Sequence, residues 1–571
     1  MLAISISIGI YFGYIGKKKR TTDEYLLGSK SMKTIPVALS LIASNISAVT
    51  LLSIPTDVYL HGSNIFFHIF ALPVSCVLIV TLYLPVILKL EVPNGFEYLR
   101  LRFNKHVRTF ASAIVVLQIL LINSIMAYIP SIALSQGLEV TISNKISDSI
   151  FAVTGLNVHL ISGVVCIVCI FYTTIGGFRA VIWTDTFQLG VMVISIATVL
   201  YFGTTSVGGL NMIWAKAQEG ERLNFDIDPT IKDGFWPIVL GSSIIWTSLG
   251  GIHPASMQKY LSISDRKYAK WCCVLHSIGV VAFVELSVLI GLMLHAKYRE
   301  CDPVFSKQIK HGDQLLPFFV ASAADNISGV FMMGLFSASL SSLSSSFNTL
   351  GATIYGDFVK PHIPTDLSRT WENYILKFIV VAAGMLCIAL TFLIDQLGSI
   401  FTFLSATQGC VSGLLVGLFS LGMLFPSANS KGALCGTLAS CIITFWIAGC
   451  HEWYKLKGAF NHFVKPLSID NCTVQFNVTP FSTAVPVDEP FYLYRLSYWY
   501  NSFIGLTVLI TVGMMVSCCT KPDDQKVDVE LISPILHYLN KKIKDRKNIY
   551  KPGLENEDLQ MTTHNFNKMN N

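Results

Sequence analysis

The densest set of groups able to bind a ligand lies at 334–348, GLFSASLSSLSSSFN, inside an apolar segment running from about 330 to 359. Seven serines in so short a run are unusual for a hydrophobic stretch. Read as a helix, Ala338, Ser341, Ser342 and Ser345 recur at i, i+3, i+4 and i+7 and share one face. That face offers hydroxyl and carbonyl oxygens and no charge. Such a set suits a hard cation such as Na⁺ that must bind and then leave. A second reading fits the same residues: Gly334, Ala338 and Ser342 form a small-xxx-small stripe for close helix packing.

Two further stretches place polar groups and helix breakers inside apolar segments. The first, at 36–62, carries Asn45, Ser47, Thr50 and Ser53, with Pro55 further along. The second, SLGGIHPAS at 248–256, carries Gly250, Gly251 and Pro254. Unwound carbonyls in such helices can ligate an ion at the bilayer midplane. The glycines permit unwinding and the proline cannot donate to the helical ladder. Two interrupted spans, each first in successive groups of five, point to inverted repeats around a central site. A pair of ordinary proline kinks is the alternative. His253 could donate to a carboxylate, helped by a helix N-terminus beside it, or could be a packed structural histidine. His68, in the next span, reads as interior packing.

The elements that must position these groups are membrane helices. The 571 residues are 52 % hydrophobic and only 13 % charged, with a mean hydropathy of +0.56. That charge fraction is about half that of a soluble protein. Apolar runs near 20 residues recur along the chain, and no period-two alternation suggests a barrel. About thirteen spans are expected: 2–16, 34–61, 63–89, 109–138, 156–175, 180–204, 235–258, 270–296, 329–358, 373–396, 398–425, 432–450 and 498–519. The first is followed by Lys17, Lys18, Lys19 and Arg20, which sets the N-terminus outside. It is short for a bilayer, so a few upstream residues are expected to be missing. Alternation then puts the basic stretches 89–108, Arg179, 259–270 and 360–369 in the cytoplasm and leaves 205–234, 297–328 and 451–497 outside. The outside loops hold sequons at Asn326, Asn471 and Asn477, the last weakened by Pro480. Cys301 and Cys472 are the only plausible extracellular bridge, since most of the other cysteines lie within or at the edges of apolar spans. Cys166 and Cys169 have CxxC spacing but lie inside a span, which discounts a metal or redox site. The tail from 520 onward reads as cytoplasmic and disordered. The net charge of +6 belongs to short inter-span loops and implies no nucleic-acid partner. No nucleophile–base or metal motif appears within the spans, so no enzyme chemistry is expected.

Two cytoplasmic-side motifs are sharper: TIGGFRA (174–180) running into VIWTDTFQ (181–188), and FEYLRLRF (96–103). With TTDEYLLGSKSM (21–32), VALSLIASNISAVTLL (37–52), VGGL (207–210), QKYLS (258–262) and the serine helix, they make the chain resemble the sodium:solute symporter family over about 2–517. Within it the resemblance is greatest to the sodium-coupled monocarboxylate and multivitamin transporters. It implies an all-α, LeuT-like 5+5 inverted-repeat core at 34–426, with repeats 34–208 and 235–426, after an N-terminal span and loop at 1–33 and before two final spans at 427–519. It also implies Na⁺ as the co-transported ion. Carried over position by position, the sodium ligands are the carbonyls of Ala43, Ile46 and Ala338 and the hydroxyls of Ser341 and Ser342. Asp185 matches the family's acid near the ion's inward exit; a solvated loop acid is the alternative. Substrate contacts carried over are Thr50, His253, Ser405 and Gln408. At His253-Pro254 the relatives tend to have Asn-Gln, so their substrate does not transfer directly. The expectation is a plasma-membrane symporter importing a small organic anion, a monocarboxylate or a vitamin such as biotin or pantothenate. A symporter for choline, iodide, a sugar or an amino acid is one rival; a Na⁺-permeable channel or sensor on the same scaffold is another.

Overall fold

The protein is described by a computed structural model that is nearly all helix. The structure describes residues 1–12, 31–90, 95–143, 158–306, 308–309, 312–323, 327–363, 368–394, 400–457, 459, 465, 468, 472, 490–523 and 527–536. The sequons at Asn326, Asn471 and Asn477 and the tail beyond 536 lie outside the described residues; the start of the tail expected to be disordered from 520 is instead packed, with Leu531 and Ser533 buried and Ser533 N donating to Met423 O at 3.0 Å.

In chain order the helices that build the bundle are α1 (Leu2–Ile10), α2 (Thr34–Asn45), α3 (Ala48–His61), α4 (Ser63–Leu90), α5 (Lys105–Ser143), α6 (Val158–Val207), α7 (Pro237–Ile252), α8 (Pro254–Leu261), α9 (Ala269–Tyr298), α10 (Ile327–Ile354), α11 (Arg369–Ile394), α12 (Ile400–Leu424), α13 (Ser430–Leu456) and α14 (Tyr500–Cys519), with shorter connecting helices between them such as Glu97–Arg102, Leu210–Glu219 and Leu315–Ala323. Among the described residues nine helical segments are long and apolar enough to cross a membrane, and eleven if each bent pair counts as one span. The bent pairs are α2 with α3, at 54°, and α7 with α8, at 45°. These are the two interrupted stretches expected from the sequence. Pro55 is not where the first breaks: it sits within α3, and the break falls at Ile46 and Ser47, both in extended conformation. α6 spans two expected segments, and its kink is at Gly177 (φ 66, ψ −165), inside TIGGFRA.

Long apolar helices need partners for every polar group they bury. The FEYLRLRF motif meets that need at the end of α12. Arg102, 5 % exposed, donates to the carbonyl of Gly422 (2.9 Å), which the end of α12 leaves without a helical donor, and to those of Phe425 (2.9 Å) and Ala428 (3.1 Å) in the turn that follows. Beside it Arg108 pairs with both Glu97 and Asp357. At the other end of the molecule Cys301 and Cys472 are bonded, with Cα atoms 5.1 Å apart. Asp302, next to the bridge, accepts the Tyr59 hydroxyl of α3. The C-terminal helices pack backbone against backbone. A Cβ on Gly413 of α12 would lie 2.3 Å from the Ser502 carbonyl of α14, and one on Gly436 of α13 would lie 2.6 Å from Leu509 O. The Ser502 hydroxyl in turn donates to Gly241 O of α7 (2.8 Å).

One expectation is corrected. The basic stretch 259–270 is not wholly in a cytoplasmic loop. Arg266, Lys267 and Lys270 are exposed, but Lys259 belongs to α8 and is 1 % exposed, inside the helix bundle. Hydropathy alternation cannot see a lysine whose charge is neutralised by a neighbour distant in sequence.

Candidate functional site

The break between α2 and α3 is made by two hydroxyl residues. In an unbroken helix the Ser47 amide would bond the Ala43 carbonyl, and the Thr50 amide the Ile46 carbonyl. Instead Ser47 N donates to Thr50 Oγ1 and Thr50 N to Ser47 Oγ, each at 3.4 Å, in a reciprocal capping box. The box therefore draws both amides away from the two carbonyls singled out as sodium ligands. Ala43 and Ile46 are both fully buried. The serine helix α10 meets the break directly: Ser342 Oγ donates to Ser44 O at 3.1 Å. Ala338, one turn earlier on α10, is also fully buried.

Behind this junction lies Asp185, fully buried on α6. It gathers hydroxyls from two helices: Ser40 (2.6 Å), Ser341 (2.9 Å), Ser345 (3.2 Å) and Ser344 (3.4 Å). Its counter-charge is Lys259, whose Nζ lies 3.2 Å from Oδ2. The same ammonium donates to Ser40 O and Ser44 Oγ, both at 2.9 Å. Three hydrogen bonds satisfy its three donors. Lys259 thus ties the second bent pair to the first. Asp185 is not a solvated loop acid.

Above the serines a cavity of about 190 Å³ opens between the two breaks. Thr50, His253, Ser405, Gln408 and Ser342 all line it, together with Asn45 and Trp246. Most of its wall is apolar, and among the described residues no lysine, arginine or acid contributes to it. The sequence-derived substrate contacts are therefore brought together, though not equivalently. Gln408 is engaged at both ends, accepting from Gln118 (3.0 Å) and donating to Ser412 (3.0 Å). His253 caps α8: its Nδ1 accepts from Ala255 N (3.4 Å), which puts the imidazole proton on Nε2. The helix N-terminus beside it does not reach into the cavity as a donor set, because the Ser256 and Met257 amides both bond His253 O at 3.0 Å.

Sequence reasoning missed four participants. Ser40 and Ser44 precede the break on α2 and were overshadowed by the richer run from Asn45. His276, on α9, stands 3.0 Å from Asn45 Nδ2. Lys259 had a usable signal: an acid at membrane depth needs a cation, and Lys259 lies only five positions beyond Pro254 on the second broken span.

The family model for the sodium:solute symporter family matches residues 25–440. The human sodium-coupled monocarboxylate transporter 1 is 35 % identical over 93 % of this chain and 88 % of its own length. Mouse sodium-coupled monocarboxylate transporter 2 is 34 % identical over 94 % and 85 %. A putative sodium-dependent multivitamin transporter of Drosophila melanogaster is 32 % identical over 90 % and 85 %. Among solved structures, a Na⁺-coupled sialic acid symporter in a substrate-bound outward-open state superposes with a TM-score of 0.70 at 19 % identity, covering 92 % of this chain and 97 % of that one. That likeness shows the fold, a LeuT-like inverted-repeat arrangement. With the family model covering most of the chain and relatives matching along nearly all of it, the chain belongs to the sodium:solute symporter family.

Proposed function

We propose that this protein is a Na⁺-coupled secondary symporter that imports a small organic anion by alternating access. The observation that supports it most is the Ser47–Thr50 box. It turns amides away from the Ala43 and Ile46 carbonyls where Ser342 reaches the break. Na⁺ is cargo here, held by those carbonyls, the Ala338 carbonyl and the Ser341 and Ser342 hydroxyls. Both serine hydroxyls spend their protons on other acceptors, so their lone pairs are what they offer a cation.

In this reading Na⁺ joins α2 to α10 and favours the outward-open, substrate-competent state; loss of Na⁺ to a low-sodium cytoplasm releases the substrate. Asp185 marks the inward route of the ion, and Lys259 neutralises it so that a departing Na⁺ is not trapped by a bare carboxylate. The cavity holds the substrate. Its neutral lining selects by hydroxyl, amide and imidazole donors, while its apolar wall accommodates a carbon skeleton. Each net charge carried inward is driven by about 2.3 kcal/mol per 100 mV of membrane potential. The core runs over 34–426 as two repeats, in a plasma-membrane protein with its N-terminus outside and its tail in the cytoplasm. No bond is made or broken.

Uptake of radiolabelled lactate, nicotinate, biotin and pantothenate by cells making the full chain, with and without Na⁺, tests the reading. Saturable, sodium-dependent accumulation of at least one against its gradient is expected. Sodium current without accumulation would establish a channel instead, and accumulation only of choline, iodide, a sugar or an amino acid would reassign the substrate.

A further inference from the structure

α9 carries a glutamate where a membrane protein has no use for one in packing. The helix has 30 residues, and Glu285 lies within about 2 Å of its midpoint at ~1.5 Å per residue. Successive residues turn by about 100°, which puts Glu285 on the same stripe as Trp271, Ile278 and Leu289. Trp271 is 63 % and Ile278 61 % exposed, and Ala282 beside them is exposed too. This stripe faces away from the helix bundle, and in a bilayer it faces hydrocarbon. Glu285 is itself partly exposed, and its Oε1, the enclosed oxygen, has no hydrogen-bond partner. No ion pair joins it among the described residues. The neighbouring polar residues turn elsewhere: Ser287 bonds Phe283 O (2.8 Å) and Ser277 bonds Leu72 O (3.4 Å). The transport site does not use it either, since it lines neither the cavity nor the Asp185 cluster.

An ionisable side chain at bilayer depth with no ion-pair partner among the described residues is costly to keep there unless something outside supplies one. We propose that the outer face of α9 around Glu285 is a docking site for a single transmembrane helix bearing a lysine or arginine near its middle. Charge complementarity selects this occupant. An apolar helix would leave the carboxyl as unsatisfied as lipid does, and a basic residue at matching depth would be equally costly alone. The exposed residues around Glu285 are apolar, so the remainder of the contact is side-chain packing, and the pair fixes depth and register.

The test uses the full-length chain in lipid vesicles and two probes: a leucine-rich transmembrane peptide with one central lysine, and the same peptide with leucine there. Energy transfer between labelled peptide and labelled protein reads association. The lysine peptide is expected to bind the unaltered chain about tenfold more tightly than it binds Glu285→Gln or Glu285→Leu. The all-leucine peptide should not distinguish the three. Sodium-dependent uptake by the variants checks that they fold. If the unaltered chain does not prefer the lysine peptide, or keeps its preference in Glu285→Leu, the proposal is wrong. If the preference is absent and Glu285→Cys chains instead crosslink to each other through that cysteine, the face is a contact between two copies and the proposal is equally overturned.

Discussion

The two broken helices differ in what they do with the groups a break releases. In the first, the capping box between Ser47 and Thr50 satisfies amides with side-chain hydroxyls, and the carbonyls of Ala43 and Ile46 lose their helical donors. In the second, the released carbonyls are recaptured. Ser256 Oγ donates to Leu249 O, and Tyr260 OH donates to Gly250 O at 2.9 Å. The amides that open α8 are taken by the ring and carbonyl of His253. One break thus exposes acceptors at its edge, and the other consumes most of its own polar groups and leaves the imidazole. The lesson is that the side chains just past an opening decide whether it leaves carbonyls free for a cation, whichever residues make the opening.

The largest effect is expected from cutting the link between the two. Lys259→Met leaves Asp185 buried without a counter-charge, a change that costs about 3–5 kcal/mol in comparable buried pairs. Thermal stability and surface expression should fall sharply, and the double variant Lys259→Met with Asp185→Asn should recover much of both. A single variant as stable as the parent would mean that the four serine hydroxyls alone carry the acid. Next comes the cap. Ser47→Ala removes one half of the box, worth about 1 kcal/mol at a helix N-cap. It should weaken apparent Na⁺ affinity about fivefold, as the sodium dependence of uptake would reveal. Unchanged sodium dependence would separate the cap from the ion.

Ser342→Ala tests the other wall of the same junction. It keeps size and helix propensity while removing one hydroxyl, so KM for Na⁺ should rise by up to about fivefold at normal surface expression. If sodium dependence does not move, the serine stripe is a packing surface. The smallest change in sodium affinity belongs to the second break. His253→Asn should reorder substrate preference in competition assays while shifting Na⁺ affinity by less than about threefold. Should His253→Asn and Ser342→Ala move sodium affinity alike and leave substrate ranking untouched, the division between the breaks collapses.

Much of this was legible in the residues. The serine helix announced itself because hydroxyls at helical spacing stand out against an apolar background, and Asp185 because it falls in VIWTDTFQ, one of the motifs that carry the family resemblance. The position of the first break was not legible from Pro55, the obvious breaker. A proline in the middle of a helix can be accommodated by close neighbours: α9 packs so tightly there that a Cβ on Gly291 would come within 2.7 Å of Pro55 O. Lys259 was misplaced because alternating hydropathy treats every lysine as solvated. Its true environment depends on Ser40, Ser44 and Asp185, the nearest of them 74 positions away. The self-capping of His253 was likewise hidden. It needs the extended N-cap backbone, ψ 137° at that residue, which residue identity does not reveal.

The glycine seams that join α12 and α13 to α14 have a mechanical consequence. Where two helices meet through interlocking side chains, small rotamer changes let them slip past one another. At Gly413 and Gly436 no such slack exists, because backbone abuts backbone and even one added carbon would collide. Shear is therefore barred along those seams, and the Ser502–Gly241 bond extends the clamp to α7 of the second bent pair. These helices behave as a stiff frame. Compliance during the transport cycle must then concentrate in the joints that retain play, at Ile46–Ser47 and at His253, much as a clamped beam flexes only where its section is thinnest.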